Sequence, residues 1–226
     1  MSFELSALAQ ITADYINTTD RHIFLTGKAG TGKTTFLKHI VAHTHKKTVV
    51  AAPTGIAAIN AEGVTLHSLL QLPFGAFIPE RIQPPDINAQ ITTLFNLFTN
   101  LRFNASKRNL IREIELLIID EVSMLRADLL DCIDHVLRHV RKKSQPFGGV
   151  QILFIGDLLQ LPPVVNDQDR AVLAPYYPSA YFFHAHALAA QPPIKVELQK
   201  VYRQSDDNFI SLLNRMRYNE QTDGDV

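Results

Sequence analysis

The chain has 226 residues, 46% of them hydrophobic, enough apolar material for one large domain or two small ones. Its 22 basic residues balance 22 acidic ones, so no global field advertises nucleic acid or a membrane, although a local groove can still be basic on a neutral protein. The single Cys132 excludes an internal disulfide and a cysteine-rich zinc site, and no apolar run is long enough to span a bilayer.

The start, MSFELSALAQ, lacks the basic lead and apolar core of a signal peptide, so a soluble intracellular protein is expected. Apolar, β-branched runs then recur along the chain. His22 to Thr26, Thr48 to Ala52, Leu116 to Asp120 and Val150 to Ile155 read as strands buried on both faces. Helical spacing occupies Thr34 to His45, Ala127 to Lys143 and Asp207 to Tyr218, and Tyr181 to Phe183 and Ile194 to Leu198 are expected as edge strands. This alternation predicts a three-layer α/β domain, a mostly parallel sheet covered by helices on both faces.

One segment breaks the rhythm. Leu72 to Asp86 carries Pro73, Pro79, Pro84 and Pro85 and is expected to be a long loop. A helical stretch, Ile87 to Leu101, and a basic patch, Arg102 to Arg112, follow it, so residues 72–112 read as a loop–helix insertion.

GKAGTGKT, Gly27 to Thr34, fits GxxxxGK[ST] with a strand before it and a helix after it, the context that the pattern requires. The loop through Gly27, Ala29, Gly30, Thr31 and Gly32 turns successive N–H groups toward one point, and the helix opening at Lys33, Thr34 and Thr35 adds its positive end. Lys33 is expected to reach the β- and γ-phosphates of a nucleotide, and the Thr34 hydroxyl to ligate Mg²⁺. In LLIIDEVSM, Asp120 stands at a strand end where it can hold Mg²⁺ through water. Glu121 beside it can orient and deprotonate an attacking water. The plainer alternative is an acidic pair opening the next helix with Ser123 as cap. In GDLLQLPPV, a glutamine stands in front of two prolines just past a buried strand. Ligands of doubly wound sheets sit beyond the carboxyl ends of strands, so Gln160 is expected to face the γ-phosphate; alternatively it bonds loop backbone.

In order, GKAGTGKTT, AAPTGIAA, TLHS, IIDEVSM, PFGGVQILFIGDLLQLPPV and VYRQ resemble the helicase motifs of superfamily one, and the nearest likeness is to the Pif (petite integration frequency) family, related to RecD. RADLLDCIDHVLRHVRKKSQPFGGVQ resembles that family's signature segment. The resemblance implies a RecA-like P-loop NTPase lobe across residues 1–226, with ATP and Mg²⁺ as ligands and single-stranded DNA as track. It implies that Gln10 reads adenine, that Arg203 neutralises the transferring phosphate, and that Pro53, Thr54, Gly55 and His67 contact DNA. It also implies 5′-to-3′ movement and an intracellular place, cytoplasmic and nucleoid-associated in a bacterium. Few residues follow Arg203, whereas a second motor lobe needs on the order of a hundred or more, so this chain is expected to be the first lobe only, partnered by the second motor lobe of the full-length protein.

The residues leave several of these roles open. Thr54 reads equally as an N-cap, and His67 as a satisfied core histidine. Phe74 and Phe77 can stack bases or anchor the loop. Arg203 can instead pair with Asp206 or Asp207, and His139 to Lys143 reads as a solvated helix end. Two other classes share the phosphate motifs: a nucleotide switch acting on a protein partner, and a ring ATPase with a helical lid. A switch needs no APTG motif, and no lid is legible.

Overall fold

The four doubly apolar runs become neighbours in one parallel sheet. In chain order the elements are α1 (Ala7–Thr18), β1 (Ile23–Gly27), α2 (Lys33–His43), β2 (Thr48–Ala52), α3 (Gly55–Asn60), β3 (Val64–Thr65) and α4 (Leu66–Leu70). There follow β4 (Ala76–Ile78), β5 (Ile91–Thr93), α5 (Leu97–Asn100), α6 (Ala105–Glu113), β6 (Leu116–Ile119), α7 (Ala127–Arg141), β7 (Gln151–Ile155), α8 (Asp167–Leu173) and β8 (Ile194–Leu198). This computed structural model describes residues 5–83 and 91–200, together with Arg215 and Glu220. The predicted helix from Asp207 to Tyr218 and the candidate Arg203 lie outside the described residues.

Among the described residues six strands run in the order β3-β2-β6-β7-β1-β8, every neighbouring pair parallel. The period of two sorts their side chains into two cores. Leu116, Ile118, Leu153, Ile155, Ile23 and Leu25 pack on the side of α1 and α2. Leu117, Ile119, Ile152, Phe154 and Phe24 pack on the side of α4, α6, α7 and α8. This is why the strands read as continuous apolar runs: each face has its own helical layer.

β8 takes the edge beside β1, as the sequence predicts. Tyr181 to Phe183 does not form a strand. Tyr181 makes a single antiparallel bridge to Arg126, and the chain then closes into a 3-10 turn at Phe182–His184. Phe182 is buried against Phe24 and Phe154, with ring centroids 5.3 and 4.9 Å away, so burying the aromatic over the sheet face wins over extending the sheet edge.

The insertion also differs from expectation. The predicted helix from Ile87 to Leu101 is replaced, where described, by the strand β5 and the short helix α5. The β-branched Ile91-Thr92-Thr93 favours extended backbone. The Asn96 carboxamide accepts from the Thr93 N–H at 2.8 Å and stops that strand. β5 pairs in parallel with β4, which lies within the expected loop, and β4 packs against α7 and α8. The basic patch forms α6, opened by Asn104, whose carboxamide accepts from the Lys107 N–H at 2.7 Å.

Candidate nucleotide and DNA site

The loop between β1 and α2 has the geometry that its glycines require. A Cβ at Gly27 would stand 2.6 Å from the Leu198 carbonyl oxygen, so only glycine lets β8 pass this close. Gly32, at φ 90°, ends the loop in the left-handed region just before Lys33 opens α2. Thr31 is buried and its hydroxyl donates to the Lys28 carbonyl at 2.8 Å, while Ala29 and Thr34 are exposed and Gly30 and Thr35 half-buried. The Lys33 ammonium donates to the carbonyls of Gly27 at 2.6 Å and Lys28 at 3.1 Å, folded over the loop's own backbone.

β6 lies two strands from β1, with β7 between them. Asp120 continues β6: its N–H donates to the Ala51 carbonyl at 2.9 Å, and its carboxylate accepts from the Glu121 N–H at 2.9 Å. Glu121 holds a left-handed backbone, φ 51° and ψ 44°, which a side-chain-bearing residue adopts at a cost. Burial raises the proton affinity of both carboxylates. At Glu121 the neighbouring charges of Asp120 and Asp157 add to this, and the Lys33 ammonium opposes it at both. Ser123 does not cap anything: it is buried inside the 3-10 turn Val122–Met124, and its hydroxyl has no hydrogen-bond partner among the described residues. The acidic pair is therefore not a helix cap.

Among the described residues no three His, Cys, Asp or Glu side chains cluster as a metal cage. Mg²⁺ in nucleotide sites is held by one or two carboxylates, a hydroxyl, water and phosphate, and the residue types fit that ion: Thr34 at the first turn of α2, and the half-buried carboxylate of Asp120, whose charge burial disfavours.

Gln160 follows β7 on a turn built by Asp157. The Asp157 carboxylate accepts from the Leu159 N–H at 3.1 Å, and its carbonyl accepts from the Gln160 N–H at 2.9 Å. Because β7 lies between β1 and β6, this turn leaves the sheet between the phosphate loop and Asp120. Gln160 is exposed at that edge.

The structure does not bring Gln10 to the site. Gln10 is on the exposed side of α1 and its amide donates to Asp14 at 3.1 Å. The cavity beside the loop, about 200 Å³, is lined instead by Leu5, Ala9, Phe36 and Leu198 among others. α1 buries Ala9, Thr12, Ala13 and Ile16, a face that leaves Gln10 out.

The DNA candidates share the same end of the sheet. Pro53 and Thr54 are half-buried past β2; the Thr54 hydroxyl caps α3, accepting from the Ala57 N–H at 3.3 Å, and Gly55 is exposed with no atom near its missing Cβ. His67, on α4, is half-buried and stacks on Phe74, centroids 5.2 Å apart and planes 11° from parallel. Burial, and then the Arg126 charge, lower its proton affinity. Phe74 is 74% exposed and Phe77 only 1%, so Phe77 anchors the segment and Phe74 presents a free face. The HVRKK end is not simply solvated: Arg141 donates to the carbonyls of Ile111, Arg112, Ile114 and Gly148, and His139 stacks on Phe98.

A family model described as PIF1-like helicase matches residues 4–223. The chain belongs to the PIF1-like helicase family. It is 36% identical over 202 residues to the ATP-dependent DNA helicase PIF1 of Saccharomyces cerevisiae, covering 87% of this chain and 21% of that protein. With the human PIF1 helicase it shares 36% over 206 residues, covering 89% of this chain and 28% of the relative. Among solved structures, Bacteroides Pif1 bound to ssDNA superposes with TM-score 0.87 at 42% identity, over 99% of this chain and 48% of that one. The same values hold for the Bacteroides Pif1 complex with ADP-AlF3 and ssDNA. Candida albicans Pif1 gives 0.77 at 28%, over 99% and 46%. The chain thus spans about a quarter of the length of the curated relatives and about half of the solved chains.

In this PIF1-like chain, Asp157 stands beside the candidate residues and is not singled out by the sequence patterns. An acid at a strand end is ordinary, and only the strand order reveals that this one is buried, acts on Glu121 and shapes the Gln160 turn. No helix among the described residues is long and apolar enough to cross a membrane.

Proposed function

We propose that this chain is the first motor lobe of an ATP-dependent DNA helicase, binding and hydrolysing Mg-ATP and, with a second motor lobe in the longer protein, moving 5′ to 3′ along single-stranded DNA. The observation that carries the reading is the strand order β6-β7-β1, which sets Glu121, Gln160 and Lys33 along one sheet edge. Family membership disfavours the switch and ring readings.

In this reading Lys33 leaves the carbonyls of Gly27 and Lys28 for the β- and γ-phosphates, exchanging neutral acceptors for anionic ones. Thr34 and Asp120 hold Mg²⁺, which supplies neutralising charge on the phosphate oxygens. Glu121 takes a proton from the attacking water; its raised proton affinity makes it a stronger base than an exposed carboxylate. Gln160 bonds the γ-phosphate, and Arg203 adds positive charge as the phosphoryl group transfers. Pro53, Thr54 and Gly55 offer backbone groups to a DNA phosphate, and His67 supports Phe74 as a stacking platform.

The test is ATP hydrolysis by the full-length protein with and without a single-stranded oligonucleotide. Glu121→Gln is expected to cut DNA-stimulated turnover about 100-fold or more while nucleotide still binds. Normal turnover in that variant would place the base elsewhere.

A further inference from the structure

Arg126 follows Glu121 by a single 3-10 turn and stands at the N-cap position of α7, its side chain making no cap bond there. The intervening backbone is tight: the Met124 N–H donates to the Glu121 carbonyl at 3.1 Å, and the Leu125 N–H to the Val122 carbonyl at 3.0 Å. Its guanidinium joins three separate segments. Nε donates to Asp128 Oδ1 at 2.9 Å and Nη1 to Asp169 Oδ2 at 2.9 Å, while Nη2 reaches the Gly75 carbonyl at 3.0 Å and the second Asp128 oxygen. That same Asp128 oxygen accepts from the Phe77 N–H at 3.0 Å. Arginine and aspartate together therefore hold the backbone from Gly75 to Phe77, directly after the exposed ring of Phe74 that stacks on His67. Asp169 stands in the first turn of α8, where the loop carrying Gln160, Pro162 and Pro163 ends.

Stability alone gives a poor account of this junction. Arg126 and Asp169 are each 15% exposed and Asp128 2%, so three charged groups are largely desolvated. Buried ion pairs are often no better for stability than apolar side chains of the same volume. β4 already has an apolar anchor here in Phe77. What the three segments share is their destination: one leaves the carboxylate strand, one leaves the Gln160 loop, and one bears the aromatic pair.

We propose that Arg126 is a positioning residue that couples nucleotide state to DNA grip, by tying the His67–Phe74 pair to the exits of the Glu121 strand and the Gln160 loop. This rests on the motor reading above and specifies how its two ligands communicate within the lobe. A shift of either exit on nucleotide binding moves the guanidinium and its Asp128 partner, and with them the segment that sets the angle of Phe74. Linkage makes the effect reciprocal: what nucleotide does to DNA affinity, DNA does to nucleotide affinity by the same factor.

The experiment measures, in the full-length protein, the affinity for a fluorescent single-stranded oligonucleotide with and without a non-hydrolysable ATP analogue. Arg126→Gln with Asp128→Asn replaces that ion pair by amides, while Asp169, 15% exposed, keeps its charge and loses its arginine partner. Its ratio of the two affinities is expected to fall about fivefold or more toward one. DNA-free ATP turnover should stay within about twofold and the melting temperature close to that of the parent. A folded double variant that keeps the parental ratio overturns the proposal and leaves the motor reading standing. A parental ratio of one overturns both. If the double variant does not fold, Asp169→Asn carries the test from the α8 side, where an unchanged ratio again overturns the coupling.

Discussion

Lys33 is held by two carbonyls of its own loop, and the acids it is meant to serve beside lie just past β6, two strands from β1. Among the described motif residues, Gln10 is the one that the fold turns away from its expected role. Gln10 was expected to read adenine because it lies upstream of the phosphate loop, but helix periodicity turns it outward to Asp14 and turns Ala9 inward. Gln10→Ala is therefore expected to change nucleotide affinity less than about twofold, whereas Lys33→Ala should weaken it about tenfold or more through a lost charge-assisted bond. Titration with a fluorescent ADP analogue checks both, and a large loss in Gln10→Ala would restore the base-reading role. That the glycine loop, Asp120, Glu121 and Gln160 follow strand ends was legible because each belongs to a short motif beside an apolar run. Asp157 was not, since only its neighbours across the sheet give it a role.

Among the elements, legibility followed apolar periodicity and failed where polar groups are buried. β1, β2, β6, β7 and α7 stand where their patterns predict, because each pattern has a core to fill. α7 also buries Asp128, Asp131 and Asp134, which an apolar pattern cannot announce. Each anchors a loop: Asp128 takes the Phe77 N–H, Asp131 the N–H groups of His186 and Ala187 and the Tyr177 hydroxyl, and Asp134 the Phe147 N–H. β5 was missed because a three-residue strand beside prolines has too little period to read.

A histidine links the sheet to this layer. His22 is buried at the start of β1, its Nδ1 accepts from the Ile152 N–H at 3.1 Å, and its ring meets Phe147 edge-on at 5.1 Å. Burial, and then the Arg21 charge, pull its pKa down from 6.5 to about 4 despite Asp134. Below pH 6.5 the unfolded chain takes up a proton that the folded one refuses, so this contribution is complete above that pH and is lost as pH falls toward 4. The loss amounts to about 3 kcal/mol at 1.36 kcal/mol per pKa unit. His22→Gln, which keeps an acceptor, should flatten the stability–pH curve in that window. Urea unfolding from pH 7 to pH 4 reads this directly, and an unaltered slope would assign the acid sensitivity to other groups.

For the whole molecule, composition was a weak guide and topology a strong one. A balanced charge of +0 argued against a nucleic-acid surface, yet the face at the sheet's carboxyl edge offers backbone groups, a helix start and an aromatic ring, none of which registers in a charge count. The parallel order gathers loops distant in sequence onto that one edge, so motifs far apart along the chain become neighbours. In the proposed function this edge binds one triphosphate. A crystal structure of the full-length protein with Mg²⁺ and a non-hydrolysable ATP analogue tests it. The Lys33 ammonium is expected to be drawn off the Gly27 carbonyl onto the γ-phosphate, with the Glu121 carboxylate and the Gln160 amide both within hydrogen-bond reach of that phosphate or its attacking water, about 3 Å. A γ-phosphate bound with Lys33 still on its own loop, or with Gln160 turned to the opposite side, would contradict it.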